Sequence, residues 1–174
     1  MVRFQHCLRV ITWIEVHGDY IIVEKFLKKA RTIEKQQGKN LVLDLIAAHA
    51  FISGSHKWKK AIRTKKSRPE YPLDQELLET SIQFKGARSN LKELGLLVPE
   101  KFLRIRVQDV MTTEELIRFN NQYRNRLIYG ASWRADIITA IESGKDSASA
   151  IAKHLGCSYE PAHRVLNEYR LAIA

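Results

Sequence analysis

Apolar residues recur along this chain at steps of three and four, the spacing that gathers them on one face of a helix. Cys7, Leu8, Ile11 and Ile14 follow it, although the same stretch is rich enough in β-branched residues to admit a strand. "HGDY" then breaks the pattern, with Asp19 placed as a candidate N-cap. Ile22, Val23, Phe26, Leu27, Ala30 and Ile33 form a second stripe that Gly38 can close. Asn40 is a candidate cap for a third helix, "LVLDLIAAHAFIS", apolar on most sides and so expected at the centre, with Gly54 at its end. His49 lies within it and reads better as a core or boundary histidine than as a functional one. "PLDQELLETSIQFKGARSNLKELGLLVP" predicts helix, in two pieces if it splits near Gly86, with Gly95 at its C-terminal end. "LLVP" and "FLRIRVQD" alternate enough for a short β-hairpin over 96–107. "TTEELIRFNNQYRNRLIYG" predicts one helix, capped by Thr112 or Thr113, with Glu114 and Glu115 where the helix dipole favours anions and Gly130 as its stop. Three short helices fit the remainder: "SWRADIITAIES" up to Gly144, a second from about Ser147 to Leu155, and a third after Ser158.

These elements predict a mainly α chain cut near Tyr129 to Ser132. Its 174 residues suit one domain or two small ones. The expected division is a helical domain over 1–129, carrying the hairpin, and a three-helix domain over 130–174. A helix ending in "NLKELGLLVP" and followed by a strand resembles the end of a recognition helix leading into a wing. That resemblance implies a degenerate winged-helix portion around 73–107.

Charge changes the picture. The formal net charge of +10 and a pI near 9.7 point to a polyanionic partner, nucleic acid ahead of an anionic membrane surface. The largest compositional shift is "HKWKKAIRTKKSRPEYP": Lys57 to Arg68 holds seven Lys or Arg and no acid. Lys57, Lys59, Lys60, Arg63, Lys65, Lys66 and Arg68 are therefore the first candidates for holding phosphates, unless the run is only a solvated surface loop. Lys101, Arg104 and Arg106 come second, and Arg118, Arg124 and Arg126 third. No apolar run approaches bilayer length, and Arg9 and Glu15 interrupt the N-terminal apolar residues, so no signal peptide or membrane contact is expected and the location should be cytoplasmic. Cys7 and Cys157 form no CxxC pair and read as free thiols. Glycine-rich phosphate loops, HExxH, GxSxG and metal-ligand histidine spacings are all missing, so neither enzymatic activity nor a cofactor or metal is expected.

The C-terminal stretch "SASAIAKHLGCSYEPAHRVLNEY" carries the sharpest pattern. Ile151, Ala152 and Leu155 would face inward from one helix, and Ala162, Val165, Leu166 and Tyr169 from the next. Gly156 between them can take the positive φ that reverses the chain, Cys157 is small enough to point inward beneath the turn, and Ala152 is small where the helices cross. Pro161 falls in a first turn, where its missing N–H costs little.

Over about a quarter of the chain this pattern resembles the helix-turn-helix and winged-helix family of DNA-binding transcription regulators. "LIYGASWRADIITAIESG" also looks like the first helix of such domains in bacterial regulators. The resemblance implies a three-helix core whose last helix enters the major groove of duplex DNA. Its outward residues would be Tyr159, Glu160, His163, Arg164 and Asn167. Arg164 suits guanine, Asn167 adenine and Glu160 cytosine, while Tyr159 and His163 suit either base or phosphate. Ser147 and Ser149, opening the second helix, would offer amides and hydroxyls to phosphate.

Residues 131–174 hold as many acids as bases. If they read DNA, other segments must supply the phosphate affinity. One such unit reads few base pairs, so a homodimer is expected. Only "RLAIA" follows Tyr169, too little for the wing of a winged helix and enough for one strand edge at most. The rival expectation is an antitoxin- or adaptor-like module in which the same unit binds a protein, with Trp58, Tyr71 or Trp133 exposed on a patch.

Overall fold

The computed structural model describes residues 2–173, with side chains from His6 onward. The protein is mainly α, and no helix among these residues is long and apolar enough to cross a membrane. It divides into two compact units, residues 1–19 with 23–110 and residues 20–22 with 111–174.

In the first unit, α1 (Val2–His17) sends Cys7, Ile11 and Ile14 into the core, as a helical period requires. α2 (Val23–Gln37) buries Val23 and Ala30, but Ile33 at the end of the expected stripe stays exposed. α3 (Leu41–Ile52) is buried from Asp44 through Ala50 and is the central helix; Asn40 caps it, its side chain accepting from Val42 N at 3.0 Å. After α3 the basic run folds as a short 3-10 helix, His56–Ala61. Trp58 anchors that helix. Its side chain is wholly buried, its Nε1 donates to Gly18 O at 3.2 Å, and Phe26 meets its ring edge-on. The start of the run is thus held against the core, while Lys65, Lys66 and Arg68 beyond it are exposed and outside any helix.

α4 (Gln75–Lys85) and α5 (Ser89–Glu93) are separated at Gly86, which has φ 74°. Gly95, at φ 83°, follows α5 where the chain passes Lys65 so closely that any Cβ would run into the Lys65 backbone. The expected hairpin over 96–107 does not form. Leu96 and Val98 are buried as the alternation demands, yet their strand pairs elsewhere: Leu97 N donates to Glu70 O at 2.9 Å, and Arg88 N to Val98 O at 2.9 Å. Only isolated bridges, Glu70 with Leu96 and Ala87 with Pro99, remain. Alternation reports which side of a segment is buried, not which backbone it pairs with. With no hairpin, the winged-helix portion around 73–107 has no wing among the described residues.

The second unit begins earlier than the cut expected after residue 129. The single helix expected over 112–130 is two, α6 (Thr113–Phe119) and α7 (Asn121–Tyr129). Asn120, at φ −128° and ψ 96°, is extended; its side chain accepts from Tyr123 N at 2.9 Å and so starts α7 afresh. Thr112 and Glu115 close a capping box on α6. α7 then locks onto α8 (Trp133–Glu142). Buried Asn125 donates to Thr139 Oγ1 at 3.0 Å and Glu142 Oε2 at 2.7 Å, and Arg126 grips buried Asp136 through Nε at 2.8 Å and Nη2 at 3.0 Å. These polar contacts, together with Tyr20 packed on Tyr123, place α6 and α7 with the C-terminal helices. α9 (Ala148–Leu155) and α10 (Tyr159–Ile173) complete the unit. α10 stays helical through Ile173, so Leu171–Ile173 of "LAIA" form helix and not a strand edge; Ala174 lies outside the described residues.

Candidate nucleic-acid interface

The α9 and α10 part of the C-terminal core contains the residues the periodicity picked out, with Ile137, Ala140 and Ala148 added to them. Ile137, Ile138 and Ala140 of α8, Ala148 and Ile151 of α9, and Ala162, Val165 and Leu166 of α10 form one buried cluster. Ala152, Leu155, Cys157 and Tyr169 pack against its edge. The corner between α9 and α10 is made by Gly156, left-handed at φ 67° and ψ 31°, whose N–H donates to Ala152 O at 2.9 Å. Cys157 N reaches the same carbonyl at 3.2 Å, so the α9 terminus is closed before the chain turns.

Burying Ala162, Val165 and Leu166 puts the opposite side of α10 in water. Tyr159, Glu160, His163, Arg164 and Asn167 are all exposed. Three of them form a ladder one turn apart: the Tyr159 and His163 rings stack at 5.5 Å, and Asn167 Nδ2 lies 3.2 Å from His163 Nε2. Arg164 stands beside this ladder with no carboxylate partner among the described residues, whereas Glu168 takes Arg134 and Arg170 donates to Asp146 O at 2.6 Å. Ser147 caps α9 by accepting from Ala150 N at 3.3 Å, and Ser149 is exposed in the first turn. The result is a polar helix face carrying donors and acceptors, beside a helix start able to meet an anion.

The basic run is divided by its partners. Arg63 already has carboxylate partners within the fold. Its Nε and Nη2 grip Asp44, which is wholly buried, at 3.1 and 2.6 Å, and its Nη1 also pairs with Glu34. These two carboxylates hold the Arg63 guanidinium charged, and the same bond to Arg63 keeps the Glu34 carboxyl below its ordinary range. Lys57 donates to Asp19 O, Lys60 pairs with Glu24, and Lys66 lies 2.8 Å from Glu93. Lys59, Lys65 and Arg68 remain exposed with no ion pair among the described residues. Among the third group, Arg126 is committed to Asp136, while Arg118 and Arg124 face solvent. Lys101, Arg104 and Arg106 are exposed and share a cleft of ≈ 630 Å³ with Arg9 and Lys85, two residues that no sequence pattern singled out.

No family model, curated protein or solved structure matches this chain. The character of the interface therefore rests on its own geometry. Trp58 is buried and Tyr71 and Trp133 are half-buried, so the aromatic patch expected of a protein-docking module is not built from these three. His49 is a core residue: it is 6% exposed, and burial holds its pKa below the ordinary value against the pull of Glu15. Its Nε2 lies 2.7 Å from Glu15 Oε2, an ion-pair distance without the alignment of a hydrogen bond. Cys7 and Cys157 are free thiols, and burial pushes the Cys7 thiol up.

Proposed function

We propose that this protein binds duplex DNA through α9 and α10, as a cytoplasmic regulator of transcription. The observation that carries the reading is the left-handed corner at Gly156 followed by a helix whose buried side is apolar and whose open side is Tyr159, Glu160, His163, Arg164 and Asn167. That arrangement suits a helix laid in the major groove, where Arg164 would donate to a guanine edge and Asn167 would pair with adenine. The α9 start, with Ser147 and Ser149, would meet a backbone phosphate. Lys59, Lys65 and Arg68 are the members of the basic run left to neutralise phosphate, and they would add affinity without sequence preference. A homodimer would double the number of base pairs read.

The test is a titration of labelled random and genomic duplexes at two salt concentrations. Arg164→Ala should reduce discrimination among sequences by about 1–3 kcal/mol and leave the salt dependence nearly unchanged. Replacing Lys59, Lys65 and Arg68 together with Ala should weaken binding to every duplex and flatten the salt slope by about 0.9 for each phosphate no longer neutralised. If Arg164→Ala selects sequences as well as the parent protein does, α10 does not read bases.

A further inference from the structure

The first unit holds a concentration of positive charge that its fold leaves unneutralised. Arg9 from α1, Lys85 from the end of α4, and Lys101, Arg104 and Arg106 from the segment after α5 line one cleft of ≈ 630 Å³. All five are exposed and none forms an ion pair among the described residues. Elsewhere Lys39, Lys60, Arg63, Lys66, Arg126 and Arg134 each have a carboxylate, so what sets the cleft apart is that five such cations share one concavity. A single acid, Asp109, lines the same cleft. Gathering like charges in a concavity costs free energy through mutual repulsion and focuses the field outward, which a bound polyanion would reverse.

The apolar lining narrows the class of anion. Leu8, Leu77 and Phe102 line the cleft together with the cations, and Leu77 is 56% exposed. Apolar side chains interleaved with cations match a strand whose phosphates and base faces are both accessible. Duplex DNA hides its base faces in the stack and would leave these apolar side chains unmatched.

We propose that this cleft binds a single-stranded nucleic-acid segment, with phosphates on the five cations and bases against Phe102 and Leu77. The inference is independent of the duplex-reading proposal, because every lining residue belongs to the first unit.

The experiment is fluorescence anisotropy of a labelled oligothymidylate of about ten nucleotides with the full chain, across a salt series. Lys101→Ala combined with Arg104→Ala should lower affinity about tenfold or more and flatten the salt slope by about 1.4, at 0.7 per neutralised phosphate. Leu77→Gln, an exposed change that leaves the charge intact, should lower affinity about fivefold or more with the slope unchanged. Arg164→Ala should bind the oligonucleotide like the parent, which separates this site from the one on α10. Competition by ATP, by polyglutamate and by anionic phosphatidylserine vesicles tests the ligand class. The proposal is overturned if the parent chain does not bind, if the double variant binds equally well, or if any of the three competitors displaces the strand as effectively as unlabelled oligothymidylate.

Discussion

At the scale of single residues, charge type and chemical role separate. Lys59 and Arg63 look equivalent in a run of basic residues, yet one is open to solvent and the other holds a buried carboxylate. His49 shows the same point for an ionisable group. Its pKa is lowered in the folded protein by burial, below the ordinary histidine value near 6.5. The unfolded chain therefore binds a proton that the folded chain resists, and stability should fall as pH drops below about 6.5. His49→Gln should remove that part of the dependence. Urea midpoints of both proteins at pH 7.5 and pH 5.5 check it; equal losses on acidification would mean that His49 does not contribute.

At the scale of elements, α7 is where a surface helix becomes part of a core. Its arginines sit two positions apart and have opposite duties. Arg126 forks onto buried Asp136, whereas Arg124 faces solvent. Removing Arg126 would strand the Asp136 charge in the interior. Arg126→Ala should thus cost about 3–5 kcal/mol, and Arg124→Ala no more than about 0.5 kcal/mol. Denaturant unfolding of the two variants distinguishes them, and a similar cost for both would show that the Asp136 pair is not what holds α7 to α8. The elements also show where periodicity suffices. The apolar faces of α9 and α10 were legible because each is one helix burying one face at steps of three and four, whereas α8 is buried continuously from Ala135 to Ile138. The break at Asn120 was not, because an asparagine able to cap a new helix can equally sit inside an exposed one.

At the scale of the whole molecule, two compact units divide the chain near residue 110, and each has its own buried carboxylate held by an arginine: Asp44 by Arg63, and Asp136 by Arg126. A lesion in one should be felt mainly within that unit. Arg63→Ala should speed amide hydrogen exchange in α3 and the 56–61 turn by tenfold or more, given a loss of about 3–5 kcal/mol, and change α8 to α10 far less. Exchange rising equally in both units would show that they open as one. The net charge of +10 belongs to this scale too. Five of its cations line the 99–109 cleft and three exposed ones lie along the run at 57–68, while residues 131–174 add no net charge.

Local pattern by itself determined the helical class, the cap at Asn40, a cap at Thr112 or Thr113, and the C-terminal corner with its open polar ridge. All of these depend on residues within a few positions of one another, where spacing and conformational preference act directly. Only the tertiary structure decided which cations are neutralised, where the strand-like segment at 96–99 finds its partners, and that α6 and α7 join the C-terminal unit. Those outcomes turn on meetings of residues far apart in the chain: Asp44 with Arg63, Glu70 with Leu97, Tyr20 with Tyr123, and Arg9 in one cleft with Arg104. A charge or an alternation in sequence names a chemical need. Chain folding selects which distant group meets it.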